Sequence, residues 1–180
     1  MLPLTLIPLD ATHHAGLLQA VYASVPAYWQ LVGLDGPDPH QAAHDLEEAG
    51  ETAGRTLLGV LLPSERMGED ARAEMIDVMD LRLHFPEERV ASLGLMLVAE
   101  PYQRQGVGQA AWALLEPWLA QSAGMERVRL RVEQQNHAGL RFFAALGFAM
   151  TGEATRIRMG DKFVRLLAME KELRHQSPPA

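Results

Sequence analysis

Val98-Ala99-Glu100-Pro101-Tyr102-Gln103-Arg104-Gln105-Gly106-Val107-Gly108 is the stretch around which the rest of the chain can be placed. Upstream of it, Val90-Ala91-Ser92-Leu93-Gly94-Leu95-Met96-Leu97-Val98 is a near-continuous apolar run of strand length, the pattern of a strand covered on both faces. Downstream, Val107, Ala110, Ala111, Leu114, Leu115, Trp118 and Leu119 recur at helical spacing, so one side of a helix lies on a sheet. The turn between them contains Gly106 and Gly108, which lack side chains and leave the first N–H groups of the helix uncovered. A helix start of that kind attracts anions, phosphates among them.

Outward from this junction the pattern alternates between strand and helix. Residues 5–9 read as a strand, Asp10 or Thr12 caps a helix running to about Ala23, and Pro26 stops it. A second, acidic and Ala-rich helix is expected over 39–49, after the turn-rich Gly33-Leu34-Asp35-Gly36-Pro37-Asp38. Strands are expected over 55–62 and 74–85. In the latter, Asp77, Met79, Leu81, Leu83 and Phe85 alternate with Ile76, Val78, Asp80, Arg82 and His84. Pro117 sits inside the helix after the junction and is expected to bend it. Val128, Leu130 and Val132 then alternate with Arg127, Arg129, Arg131 and Glu133 as a strand with one apolar face. A helix follows from Asn136 to Leu146, closed by Gly147. Residues 148–158 and 162–170 form a last hairpin about a turn at Met159-Gly160-Asp161, and the tail 177–180 is expected to fray.

Composition narrows the function classes. At 180 residues and 48% hydrophobic content the chain can bury a core without staples. A formal net charge of -7 argues against a general nucleic-acid binder, and the Arg127-Val128-Arg129-Leu130-Arg131 run reads as a solvated or cleft-facing strand side. With no cysteine there are no disulfides, zinc-thiolate sites or thiol nucleophiles. The first residues lack the basic and long apolar segments of a signal peptide, and no apolar run approaches the ~20 residues of a membrane span. A soluble cytoplasmic protein with no membrane partner is the expectation.

Gln103-Arg104-Gln105-Gly106-Val107-Gly108 fits Q/R-x-x-G-x-G/A and resembles the coenzyme A loop of the GNAT superfamily, the acetyl-CoA-dependent N-acetyltransferases. Asn136, followed by Gly147-Phe148, resembles that family's second motif. The resemblance implies a GNAT-like acyl-CoA N-acyltransferase fold: an α/β (α+β) mixed sheet of about seven strands, flanked by about four helices, with one splayed strand pair. A single domain over 1–173 with a tail at 174–180 follows. It also implies acetyl-CoA as co-substrate, without a metal. The diphosphate would lie on Arg104, Gln105, Gly106, Val107, Gly108 and Gln109, and the pantetheine arm on backbone groups of Met96, Leu97 and Val98, with a contact from Asn136. Capping alone would also explain Asn136. Tyr28 and Trp29 fall where the family borders its acceptor, although covering the core edge would explain them equally.

Three departures from the family pattern bear on chemistry. Phe143 stands where many members place a proton-donating tyrosine, and Gly94 and Arg131 stand where relatives often carry a glutamate. The remaining candidates for proton transfer are Asp77, Asp80, His84 and Glu133, the last acting through water. Three readings follow. The first is acetyl transfer to a primary amine of a small molecule or protein, and the second a non-catalytic acyl-CoA-binding module. The third is dinucleotide binding, because Gly106-x-Gly108-x-x-Ala111 also fits G-x-G-x-x-A. The exposed edge of a C-terminal hairpin makes a homodimer possible.

Overall fold

In the computed structural model of the chain, residues 3–63, 73–159 and 162–173 are described. Strands β1 (Thr5–Pro8), β2 (Arg55–Leu62), β3 (Glu74–Arg82), β4 (Val90–Val98), β5 (Arg127–Glu133), β6 (Ala149–Met159) and β7 (Lys162–Glu172) form one sheet in the order β1-β2-β3-β4-β5-β7-β6. All neighbours are antiparallel except β4 and β5. Helices α1 (Ala11–Ala23), α2 (Pro26–Leu31) and α3 (Gln41–Glu51) cover one face, with Leu18, Val21, Trp29 and Leu46 in its core. Helices α4 (Val107–Pro117) and α5 (His137–Ala145) cover the other, where Val107, Ala111 and Leu115 pack on Val60, Met79 and Leu93. This is the mixed sheet expected from the sequence, and its single parallel pair leaves no doubly wound unit for a dinucleotide.

Local chemistry accounts for the helix starts. Asp10 caps α1, its carboxylate accepting from His13 N at 2.8 Å. Pro26 does not merely stop α1 but opens α2, a proline in the first turn of a helix losing no hydrogen bond. Helix α3 begins at Gln41, two residues later than the sequence pattern suggests. At Pro117 the α-helix ends and the chain continues as a π turn, Trp118–Ser122, with Ala123 N donating to Trp118 O at 2.9 Å. The expected turn at Gly160-Asp161 and the tail 174–180 lie outside the described residues.

Two β-bulges set which way the central side chains point. Val60 pairs with Asp77 and Leu61 with Met75, so Ile76 is an extra residue in β3. Asp80 pairs with Leu95 and Leu81 with Leu93, so Gly94 is an extra residue in β4. Each bulge exchanges the faces of the residues beyond it. Val78 and Leu97 therefore belong to the α1 side while Met79, Met96 and Val98 belong to the α4 side. β3 ends at Arg82 rather than at Phe85, because the chain turns at His84, whose φ is 54°. Its alternation is further hidden by burial on both faces.

Candidate active site

The site begins where the parallel pair comes apart. β4 and β5 are registered from Val90 opposite Arg127 to Leu93 opposite Leu130, and no pairing continues past the Gly94 bulge. Beyond that point the strands diverge, and two cavities occupy the opening. The outer one, about 540 Å³, is bordered by Met96, Val98, Arg104, the first turn of α4 and the start of α5. The inner one, about 270 Å³, is bordered by Tyr28, Gly94, Met96, Arg131, Glu133 and Phe143. Met96, Asn136 and Phe143 border both, so the two make one slot. A larger hollow of about 870 Å³ lies at the far end of α4, between Glu116, Pro117 and Lys171, and shares no residue with the slot.

The outer cavity is an anion cradle made of backbone. Arg104 (φ 59°) and Gly106 (φ 81°) both adopt the left-handed conformation, which turns the chain sharply into α4. The first helical N–H with an acceptor is that of Ala110, on Gly106 O at 3.0 Å. Those of Val107, Gly108 and Gln109 precede it and border the cavity. Gly106 is needed for its φ, since a Cβ there would meet only Gln109 Oε1 at 3.6 Å. Gly108 has a different reason. A Cβ at Gly108 would sit 3.0 Å from the Phe142 ring and 3.6 Å from Val98, so its bare Cα lets the two helix starts approach over the strand. Arg104 is exposed and makes no ion pair with the described residues, leaving a cation at the mouth. Gln105 Nε2 donates to Pro101 O at 2.7 Å and braces the loop from behind.

Strand phase decides which main-chain groups face the slot. Ala99 N donates to Ile76 O at 2.8 Å, so Ala99 and Leu97 serve β3 and the alternate residues Met96 and Val98 present N–H and C=O to the open side. Of the three strand residues assigned to the pantetheine arm, Leu97 thus offers the slot no main-chain hydrogen bond. Gln103 Nε2 donates to Val98 O at 2.9 Å and closes the end of the strand. Gln103, the first residue of the loop motif, thereby joins a site in which the sequence reading assigns the loop's part to Arg104 and the five residues after it. Asn136 caps α5, accepting from Gly139 N at 2.9 Å, while its side chain borders both cavities.

The other sequence candidates are scattered. Trp29 is core: it is 6% exposed, and its Nε1 donates to Tyr22 O at 2.7 Å. Tyr28 beside it does border the inner cavity. Asp77 points under α4 and is fully buried, without a hydrogen-bond partner on either oxygen. Burial pushes its carboxyl up to about 8, against the opposing pull of the Val78 and Leu97 amides. Asp80 lies on the opposite face, held by Arg55 through bonds of 3.1, 3.2 and 2.7 Å, and Arg55 also takes Glu48 at 2.9 Å. His84 is in the β3–β4 turn, paired with Glu88 at 2.8 Å, outside the slot. Glu133 borders the inner cavity, with Oε2 shut away from water and unpartnered. The apolar walls, Leu31, Val32, Ile157 and Leu166, carry no sequence signal, because nothing local announces that α2 and the β6–β7 hairpin converge on β5.

This arrangement defines an acyl-CoA-binding protein, and the comparisons place it. Residues 28–148 match the model of the Acetyltransferase (GNAT) family, and the chain belongs to that family. An acetyltransferase from Thermus thermophilus is 27% identical, with a TM-score of 0.71 over 94% of this chain and 97% of that one. The ribosomal-protein-S18-alanine N-acetyltransferase of Escherichia coli is 18% identical, with a TM-score of 0.67 over 97% and 96%. The PaiA N-acetyltransferase of Thermoplasma acidophilum, solved with coenzyme A, is 16% identical, with a TM-score of 0.64 over 94% and 98%. No curated protein sequence matches the chain. The family uses acetyl-CoA, and the open-sided amides, the left-handed Gly106 and the exposed Arg104 fit its diphosphate. Among the described residues no cluster of His, Asp and Glu could hold a metal ion, and no helix is long and apolar enough to cross a membrane.

Proposed function

We propose that the protein is an N-acetyltransferase acting on a primary amine. The carrying observation is the continuous slot, from an amide-lined mouth at α4 to an inner cavity where β4 leaves β5. Acetyl-CoA, when bound, supplies an acetyl group activated as a thioester. The first-turn amides and Arg104 hold the diphosphate, and the main chain of Met96 and Val98 aligns the arm. Leu31, Val32, Ile157 and Leu166 give the inner end an apolar lining.

A lysine-like ammonium at neutral pH lies ~3 units below its pKa, so deprotonating it costs about 4 kcal/mol. Glu133 is the carboxylate bordering the inner cavity and takes that proton, directly or through one water. Tyr28 is placed to return a proton to the leaving thiolate. Tyr22 donates to Asp45 at 2.8 Å and Tyr102 to Glu74 at 2.6 Å, whereas Tyr28 borders the cavity and burial holds its phenol protonated. Holding both reactants in one slot supplies the larger part of the acceleration.

The runner-up, acyl-CoA binding without transfer, draws support from Phe143, whose ring packs on Phe142 and Phe148 and brings no hydroxyl to the slot. Calorimetric titration with coenzyme A, together with free-thiol release from acetyl-CoA across a panel of amines, separates the two. Transfer predicts binding and acceptor-dependent thiol release. Binding with no release for any acceptor refutes transfer.

A further inference from the structure

The polar groups of the inner cavity are unusual in their pairing. Along β5 the arginines point to one face. Arg129 bonds Glu170 at 2.8 Å, and Arg127 takes Glu87 at 3.1 Å and Glu170 at 3.3 Å. Arg131, next in the same row, has no carboxylate among the described residues, and it borders the cavity. Glu133 follows on the same face, again bordering the cavity and again in no ion pair with the described residues, with Oε2 buried and unpartnered. A cation and an anion two residues apart on one strand, the arginine exposed and the glutamate half-buried, thus border one cavity without bonding each other. Both charges at the cavity lack a partner of opposite sign among the described residues, and a ligand carrying one charge of each sign would supply both.

We infer that the inner cavity binds a zwitterionic acceptor, a free amino acid with an apolar side chain. Arg131 takes its carboxylate, Glu133 receives its ammonium, and Leu31, Val32 and Leu166 enclose the side chain. Successive side chains on one strand face stand ~7 Å apart at their roots, and both are long enough to converge on charged groups separated by a single carbon. About 270 Å³ accommodates one such molecule beside the thioester end. A polyamine would bring only positive charge to Arg131. This rests on the acetyl-transfer reading for its chemistry, but the binding step is separable from it.

The probes are leucine, methionine and phenylalanine, each with its carboxamide, and spermidine. Calorimetric binding is measured in the presence of saturating coenzyme A, and thiol release with acetyl-CoA. At least one free amino acid is expected to bind about tenfold or more tightly than its amide, with a correspondingly lower KM. Arg131→Gln is expected to abolish that preference without changing affinity for coenzyme A, and Arg131→Lys to restore part of it. Glu133→Gln is expected to weaken amino acid and amide alike. Amides or spermidine bound as well as the amino acids, no binding of any of the three amino acids, or a preference that survives Arg131→Gln would each overturn the inference. Thiol release with amides or spermidine alone would sink the inference and leave acetyl transfer standing. Arg131-dependent binding without thiol release would do the reverse.

Discussion

Asp77 makes the stability of this protein depend on pH in a direction opposite to that of an ordinary carboxylate. The side chain lies in the row Val60–Asp77–Val98 beneath α4, fully buried, with no partner for either oxygen. Burial lifts its pKa from 3.8 to about 8, so between those values the folded chain holds a proton that the unfolded chain has released. Stability from this group is complete below about pH 4 and is lost as pH rises toward 8, at about 1.4 kcal/mol per pH unit. Between about pH 5 and pH 7.5 the loss amounts to about 3 kcal/mol. The leucine side chain has the same branching, so Asp77→Leu removes the titration and replaces an orphaned acid by packing against two valines. Urea unfolding midpoints at the two pH values are the assay. The wild type is expected to weaken toward the higher value, and Asp77→Leu to lose that component and gain stability at about pH 7.5. Asp77→Asn is expected to lose the slope while gaining less, since it keeps unpartnered polar atoms. Parallel pH profiles in wild type and Asp77→Leu would refute the reasoning, because the titrating group would then lie elsewhere.

Other consequences can be measured separately. Gly106→Ala forces a Cβ into a backbone with φ of 81°, and is expected to cost about 1 kcal/mol of stability and to weaken coenzyme A binding several-fold, read by calorimetry. Asn136→Ala removes the cap on Gly139 N at a cost of about 1 kcal/mol, whereas Asn136→Asp keeps the cap, so comparing their coenzyme A affinities isolates the side chain's second role. Phe143→Tyr puts a hydroxyl into the slot and is expected to raise kcat, by less than the ~10²-fold that a general acid supplies, with affinity for coenzyme A unchanged. Arg55→Met strands the largely buried Asp80, and thermal unfolding is expected to show a loss of about 2 kcal/mol.

The junction from Val98 to Gly108 was legible because its signals are local: an apolar strand, two glycines and a helical stripe all lie within one stretch of chain. Asn136 and Gly147 were legible for the same reason. What escaped depends on distant partners. Ile76 and Gly94 carry no mark of being bulge residues, yet each reverses a strand face. Asp77 and Asp80, three residues apart on β3 with no bulge between them, occupy opposite sides as plain alternation requires, and neither borders the slot. Pro26 has one spelling for ending a helix and for starting one, and only the packing of Trp29 against Tyr22 at 5.5 Å selects the second. Neighbouring aromatics divide as well, Tyr28 to the cavity and Trp29 to the core, which sequence adjacency cannot foretell.

The divergence of β4 from β5 leaves a seam of unsatisfied main chain in the middle of a sheet, where amide protons ordinarily exchange most slowly. Along this one strand, neighbouring protons will therefore run on two clocks. Those of Leu97 and Ala99, locked on β3, will keep deuterium out for as long as the sheet stays closed, while those of Met96 and Val98 will exchange freely. Filling the seam will slow the second pair alone, giving a residue-by-residue gauge of occupancy that requires no turnover.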